Sequence, residues 1–191
     1  MKALSTLTMT SAQALPRDRR SVQLFCVTLL VAACLSASLV FACATPFAAF
    51  AVLAAAMLPL RPALVTISAV WLVNQVVGFG LLGYPRTLNA VMWGLAIGAA
   101  GQIATITAVG VFRRLARTDR FAVYPIALVA SFAAYELCLL AITPVLGGAE
   151  AFGMSIVGRI AFLNAAWLVG LVAVCEIARL LGRMAERHAL Q

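Results

Sequence analysis

Long apolar runs, separated by short polar breaks, follow one another from residue 22 to residue 181. Their lengths, and the Pro, Gly and Arg residues between them, predict helices rather than strands. We predict helices at residues 22–44, 46–59, 63–83, 88–111, 122–145 and 154–181. The second has only 14 residues, about 21 Å of helix against a hydrocarbon core of about 30 Å. We therefore expect it to be tilted, broken or surrounded by thinned bilayer.

The composition favours a membrane protein. The chain has 191 residues, of which 64% are hydrophobic and 10% charged, and its mean hydropathy is +1.06. These values lie outside the range of soluble globular domains. We predict an all-α integral membrane protein, a bundle of six transmembrane helices over residues 21–182. Polar tails at residues 1–20 and 183–191 complete the chain.

The basic residues test this layout, because cytoplasmic loops are enriched in Lys and Arg. Of the 14 basic residues, six spans leave only Arg86 and Arg159 on one side. The other twelve are Lys2, Arg17, Arg19, Arg20, Arg61, Arg113, Arg114, Arg117, Arg120, Arg179, Arg183 and Arg187. We predict cytoplasmic termini and a multi-pass protein of a bacterial inner (cytoplasmic) membrane. The net charge of +8 then reflects the orientation of the chain in the membrane. We therefore expect no nucleic-acid partner.

Neither a metal site nor a catalytic site is indicated. The five cysteines lie in apolar segments without CxxC spacing: Cys26, Cys34, Cys43, Cys138 and Cys175. The single histidine, His188, and both aspartates, Asp18 and Asp119, fall in polar segments. We therefore expect no enzyme activity and no cofactor. The Ala42-Cys43-Ala44 stretch is similar to a signal-peptidase site, but the arginine balance favours a retained first helix.

Polar side chains cluster in one half of the predicted bundle. Asn74 and Gln75 interrupt the apolar stretch WLVNQVVGFGLLGYPRTLNAVMWG, residues 71–94, close to the predicted midplane. Glu136 and Arg159 fall in the same half of the bilayer, and we expect them to contact each other, because an unpaired charge there is costly. The candidate binding residues are Asn74, Gln75, Tyr84, Arg86, Asn89, Trp93, Glu136, Arg159 and Asn164.

Two interpretations of these polar residues remain open. They line a pocket that opens to the outside and binds a small molecule, or they tie helices together. In a pocket, the arginines would attract anionic groups, the amides would orient the ligand, and Tyr84 and Trp93 would stack on a ring. As ties, the same residues would serve a membrane assembly or scaffold subunit without a transport role.

Small residues repeat four positions apart in the first two helices, as in Ala33/Ala37 and Ala51/Ala55. Such pairs let helices approach closely. The pattern is compatible with packing inside the bundle and with docking of a partner.

Six short helices, Ala-rich early helices, a predicted outward pocket and no ATPase motif together resemble the substrate-binding S components of energy-coupling-factor (ECF) vitamin transporters. The stretch WLVNQVVGFGLLGYP looks most like the small solitary members of Gram-negative bacteria linked to cobalamin. The resemblance implies capture of a vitamin or cofactor precursor, and docking of a coupling subunit with ATPases through Ala33, Ala37, Ala51 and Ala55. A corrinoid would favour a thiol or imidazole for its cobalt, and only Cys43 and Cys138 lie at a suitable depth.

Overall fold

The computed structural model describes residues 19–41 and 45–189, and every regular element in them is helical. Cys43, with the rest of the Ala42-Cys43-Ala44 stretch, and residues 1–18 of the predicted tail lie outside the described residues. The helices are α1 (Arg19–Phe41), α2 (Phe47–Met57), α3 (Leu60–Val76), α4 (Leu88–Arg114), α5 (Arg120–Leu146) and α6 (Met154–Ala189). A π turn (Val77–Leu81) extends α3, and a 3₁₀ turn (Ala149–Phe152) precedes α6.

Five of these helices, all except α2, are long and apolar enough to cross a membrane when the π turn is counted with α3 as one span, Leu60–Leu81. The prediction of an all-α chain with several candidate membrane spans is confirmed for the described residues. The sixth predicted span is different, because α2 has 11 residues and so measures only about 16 Å. The chain therefore has five candidate spans and one short apolar helix in the described residues.

The short helix α2 lies at the centre of the bundle, in contact with each of the other five helices. Every residue from Phe47 to Ala54 is at most 2% exposed. A helix that is apolar on all sides is stable only where all sides are covered. Its alanines permit this, because small side chains let the neighbouring helices approach closely. The short length is therefore accommodated by burial inside the protein.

Contacts between the helices fix their directions. Cys34 and Val70 are in contact, as are Ser38 and Asn74 one turn further on, so α1 and α3 run parallel. Helix α4 runs back along α3, since Gln102 reaches Ser68 while Trp71 reaches Gly94. Helices α2 and α6 run parallel, with Ala49 beside Asn164 and Met57 beside Cys175.

These directions place most of the basic residues of the described segments at one end of the bundle. The N-terminus of α1 and the C-terminus of α6 both lie there, which we call the basic end. The arginines whose side chains are described there are Arg20, Arg61, Arg113, Arg114, Arg117 and Arg179. Arg86 and Arg159 lie toward the opposite end. The uneven charge distribution expected from the sequence is thus present in the fold.

Three glycines of α4 form the surface on which α3 packs. A Cβ at Gly94 would lie 2.4 Å from Gln75 Oε1, and one at Gly98 would lie 2.8 Å from the Trp71 ring. A Cβ at Gly101 would lie 3.4 Å from the Ile67 side chain. The absence of side chains at these three positions of α4 therefore lets α3 approach closely, and it leaves space for the side chains of Gln75 and Trp71.

Candidate ligand-binding site

A cavity of about 290 Å³ lies above the N-terminus of α2, on the side away from the basic end. Its walls come from α3, the π turn, the segment that leads to α4, the first half of α4, and one residue of α5. The residues that line it are Thr45, Phe47, Asn74, Gln75, Phe79, Tyr84, Pro85, Ala90, Trp93, Gly94, Ile97 and Tyr135. We call this space the amide cavity. Four of the nine candidate residues line it, namely Asn74, Gln75, Tyr84 and Trp93.

A hydrogen-bonded cluster forms the polar wall of the amide cavity. Asn74 Nδ2 donates to Thr45 Oγ1 at 2.9 Å and to Ser38 Oγ at 3.2 Å. Gln75 Nε2 donates to Asn74 Oδ1 at 3.3 Å. Asn74 therefore joins α3 to α1 and to the start of α2, and it holds Gln75 in place. Both interpretations of the amide pair apply here. Asn74 ties helices together, and Gln75 faces the cavity beside it.

Gln75 offers an acceptor to the cavity. Its Oε1 has no hydrogen-bond partner among the described residues, and it lies against Gly94, where a side chain would clash with it. A carbonyl oxygen of an amide accepts hydrogen bonds from N–H or O–H groups. A ligand donor that entered the cavity would find this acceptor already oriented.

Five aromatic rings supply the apolar walls of the amide cavity. Phe47 and Tyr135 stack with their ring centroids 6.3 Å apart, and Phe79 meets Tyr84 edge-on at 6.2 Å. The fifth ring, Trp93, lies near Gly148 in the connection between α5 and α6. Rings in such walls bind flat apolar groups by stacking and edge contacts.

The π turn positions Tyr84. Leu82 N donates to Val77 O, and Tyr84 N donates to Gly78 O at 3.0 Å, so the chain folds back over the end of α3. Gly83 has φ +68°, a left-handed conformation that glycine adopts without strain. A Cβ at Gly78 would lie 2.7 Å from the Tyr84 ring. The two glycines thus allow the turn and the close approach of the ring that covers the cavity.

Two of the predicted binding residues instead cap helix ends. Asn164 is 3% exposed, and its Oδ1 accepts a hydrogen bond of 3.0 Å from Ala49 N in the first turn of α2. Its Nδ2 donates to Ile160 O. Asn89 Nδ2 donates to Leu146 O at 2.9 Å, in the last turn of α5. Both amides satisfy backbone groups that have no partner within their own helix.

The three predicted charged residues do not line the amide cavity. Arg86 and Arg159 are exposed, and Glu136 is half-buried. The predicted contact between Glu136 and Arg159 is not formed: among the described residues, the one ion pair joins Glu176 and Arg179. The reason is the position of α2, which packs against both α5 and α6 and leaves few contacts between them.

Three of the four alanines considered for docking are buried within the chain: Ala33, Ala37 and Ala51. Ala55 is half-buried. Their close packing inside the bundle matches the packing interpretation of the small-residue pattern.

Several residues of the amide cavity were not anticipated. Thr45 and Phe47 precede or begin α2, and their place in the site depends on the burial of that helix. Tyr135 is an aromatic residue within an apolar run, where core packing is the ordinary expectation. Phe79 carries a weak signal, since it stands in the glycine-rich stretch GFGLLG.

No group of three or more His, Cys, Asp or Glu residues that could hold a metal ion occurs among the described residues. Cys26, Cys34, Cys138 and Cys175 are free thiols within the helices. The chain matches no protein-family model, no curated protein and no solved structure.

Proposed function

We propose that this chain is a membrane protein that captures a vitamin or cofactor precursor in the amide cavity for uptake, in the manner of an ECF S component. The observation that carries the proposal is the combination of polar wall and aromatic walls around one space of about 290 Å³. Small-molecule sites are typically apolar clefts with a few placed polar groups. A transport role of this kind needs a ligand site and a membrane domain, and no catalytic group.

The orientation belongs to the same proposal. We place the basic end in the cytoplasm of a bacterial cell, because cytoplasmic segments of inner-membrane proteins are rich in arginine. Both termini are then cytoplasmic, α2 counts as the sixth membrane segment although it is short, and the amide cavity faces the outer side. A ligand would enter from outside near the π turn.

The lining favours an uncharged ligand with a ring. None of the described lining residues carries a formal charge, and residues 42–44 beside Thr45 are Ala, Cys and Ala. An ionic group would enter such a site without a partner, at a large desolvation penalty. Gln75 Oε1 would accept a hydrogen bond from the ligand, and the rings would cover its flat faces.

The volume favours a ligand smaller than a corrinoid. About 290 Å³ lies at the lower limit of small-molecule sites, which extend from about 300 to 1,000 Å³. A corrin macrocycle with its nucleotide loop requires much more space. A single-ring or two-ring vitamin or precursor suits the cavity better than cobalamin.

Energy coupling is a further part of the proposal, taken from the resemblance. A transmembrane coupling subunit with ATPases would have to contact a surface other than the buried alanines of α1 and α2. The outward faces of α1 and α3 include exposed apolar side chains such as Leu39, Val40, Val65 and Leu72. These faces are available to lipid or to such a subunit.

The test is ligand binding by native mass spectrometry and by isothermal titration, with protein in mild detergent and vitamins and precursors added one at a time. We expect an uncharged ring compound to bind. Gln75→Leu should then weaken binding about tenfold, the effect of one lost hydrogen bond of about 1.4 kcal/mol. Gln102→Leu is the matched control. Gln102 Nε2 donates a hydrogen bond of 3.0 Å to Ser68 Oγ, and Gln102 does not line the amide cavity.

The second candidate function is a membrane assembly or scaffold subunit. Two hydrogen bonds favour it, because both amides stabilise the bundle: Asn74 donates to α1, and Asn164 accepts from α2. On this proposal no vitamin or precursor binds, and Gln75→Leu and Gln102→Leu change only thermal stability. The same titrations therefore separate the two functions.

A further inference from the structure

A second cavity, of about 350 Å³, opens between α1 and α6 at the basic end. The backbones of α1 and α6 stay apart along their described lengths, and the last turn of α2 forms the floor between them. The lining residues are Ser21, Val22, Phe25, Ala56, Met57, Cys175, Ala178 and Arg179. We call this space the Arg179 cleft. It shares no residue with the amide cavity, so its argument does not depend on the proposed function.

The lining changes character along the bundle axis. Ser21 and Arg179 lie toward the basic end of α1 and α6, whereas Phe25 and Cys175 lie about one turn further into the bundle. Val22 and Met57 add to the apolar part. The cleft thus offers hydrogen-bond donors at its rim and apolar walls below, an arrangement that suits an amphiphile with a polar head and a hydrocarbon tail.

The sides of the Arg179 cleft are formed by helices whose outer faces are apolar. Leu24 on α1 and Ile177 and Leu180 on α6 are exposed large side chains next to the lining residues. Exposed apolar residues on membrane-spanning helices face acyl chains. The cleft is therefore reached from the bilayer, where the available amphiphiles are phospholipids.

Charge selects among phospholipids. The Arg179 guanidinium is paired with the Glu176 carboxylate on the same helix, but a guanidinium has five N–H donors and one carboxylate does not use them all. Arg20 lies beside Ser21, and the basic end carries four further described arginine side chains, Arg61, Arg113, Arg114 and Arg117. Clusters of arginine at a membrane surface attract anionic headgroups.

We propose that the Arg179 cleft binds an anionic phospholipid, with one acyl chain between α1 and α6 and the phosphate at Arg179 and Ser21. The lipid would fill the gap that the short helix α2 leaves between these two helices. Glu176 competes with the phosphate for Arg179, so the two acceptors share one cation.

The test is lipid retention. The protein is reconstituted into vesicles of equal parts phosphatidylglycerol and phosphatidylcholine, extracted into mild detergent, and analysed by native mass spectrometry. We expect phosphatidylglycerol to be retained preferentially. Arg179→Gln should reduce its retention about fivefold, the effect of one arginine at an anionic membrane surface. Arg61→Gln removes a basic-end arginine that does not line the cleft, so it should reduce retention clearly less than Arg179→Gln does. An equal reduction in the two variants would overturn the proposal, because it would indicate the general charge of the basic end and not the cleft.

Two further variants keep the proposal testable if Arg179→Gln does not fold. Glu176→Gln removes the competing carboxylate and should increase retention of phosphatidylglycerol. Ala178→Phe places a ring in the cleft and should reduce retention of both lipids. Equal retention of the two lipids by the wild type, or unchanged retention in both Glu176→Gln and Ala178→Phe, overturns the proposal. Displacement of the bound lipid by inorganic phosphate alone would also overturn it, by indicating a site for a free anion.

Discussion

The cap that Asn164 provides to α2 is the polar contact whose loss should affect the fold most. Asn164→Leu conserves side-chain size but removes the acceptor for Ala49 N, which Oδ1 now contacts at 3.0 Å. Asn164 is 3% exposed, so water would not replace the lost bond. A buried N–H left unpaired costs about 1–3 kcal/mol, and loss of an N-cap typically costs about 1 kcal/mol. We therefore expect destabilisation of about 1–3 kcal/mol.

The measurement is equilibrium unfolding in mixed micelles with increasing SDS, followed by circular dichroism. Asn89→Leu is the matched control, because Asn89 also bonds a helix end, through Leu146 O, but is exposed. Water can satisfy that carbonyl, so the control should lose about 0.5 kcal/mol or less. If the two variants lose equal stability, or if Asn164→Leu is as stable as the wild type, the argument for a tertiary cap on α2 is wrong.

Two further predictions concern packing and charge. Gly98→Ala should destabilise the fold by about 1–3 kcal/mol, because its Cβ would lie 2.8 Å from the Trp71 ring. Gly110→Ala on the same helix meets no atom within 4 Å and should stabilise by about 0.5–1 kcal/mol. Both stability changes can be measured by the same SDS titrations. Glu136→Gln and Arg159→Ala should show a coupling free energy near zero in a double-mutant cycle, and coupling above about 1 kcal/mol would restore their predicted contact.

Much of the fold follows from hydropathy alone. With the π turn counted as part of α3, the five long helices were predicted with starts and ends within a few residues, apart from the C-terminus of α6, which continues to Ala189. Their apolar runs are long, and hydropathy is the property that determines whether a segment inserts into a membrane. The role of α2 was not predictable in this way. Fourteen apolar residues indicate a helix, but whether lipid or protein surrounds it depends on how the other five helices pack.

The candidate site was predictable in part, for a related reason. The depth of a residue along a helix can be estimated from its position in the sequence. Asn74 and Gln75, which were predicted to lie near the midplane, line the amide cavity. Rotation about the helix axis and the choice of neighbour cannot be read in this way. Glu136 and Arg159 share a half of the bilayer, yet α2 packs against both of their helices. Asn164 was assigned to a ligand, although its partner is a backbone N–H on a distant helix.

The cap on α2 also bears on the order in which the chain assembles during synthesis. Ala49 and Asn164 are 115 positions apart, so the ribosome has made α1 to α5 before the acceptor for α2 exists. Until then the first turn of α2 has an unsatisfied donor within the membrane. A chain that ends before Met154 should therefore be degraded rapidly, while a chain that ends after α6 should persist. Pulse-chase labelling of the two truncated chains in cells would measure this difference, and equal lifetimes would contradict it.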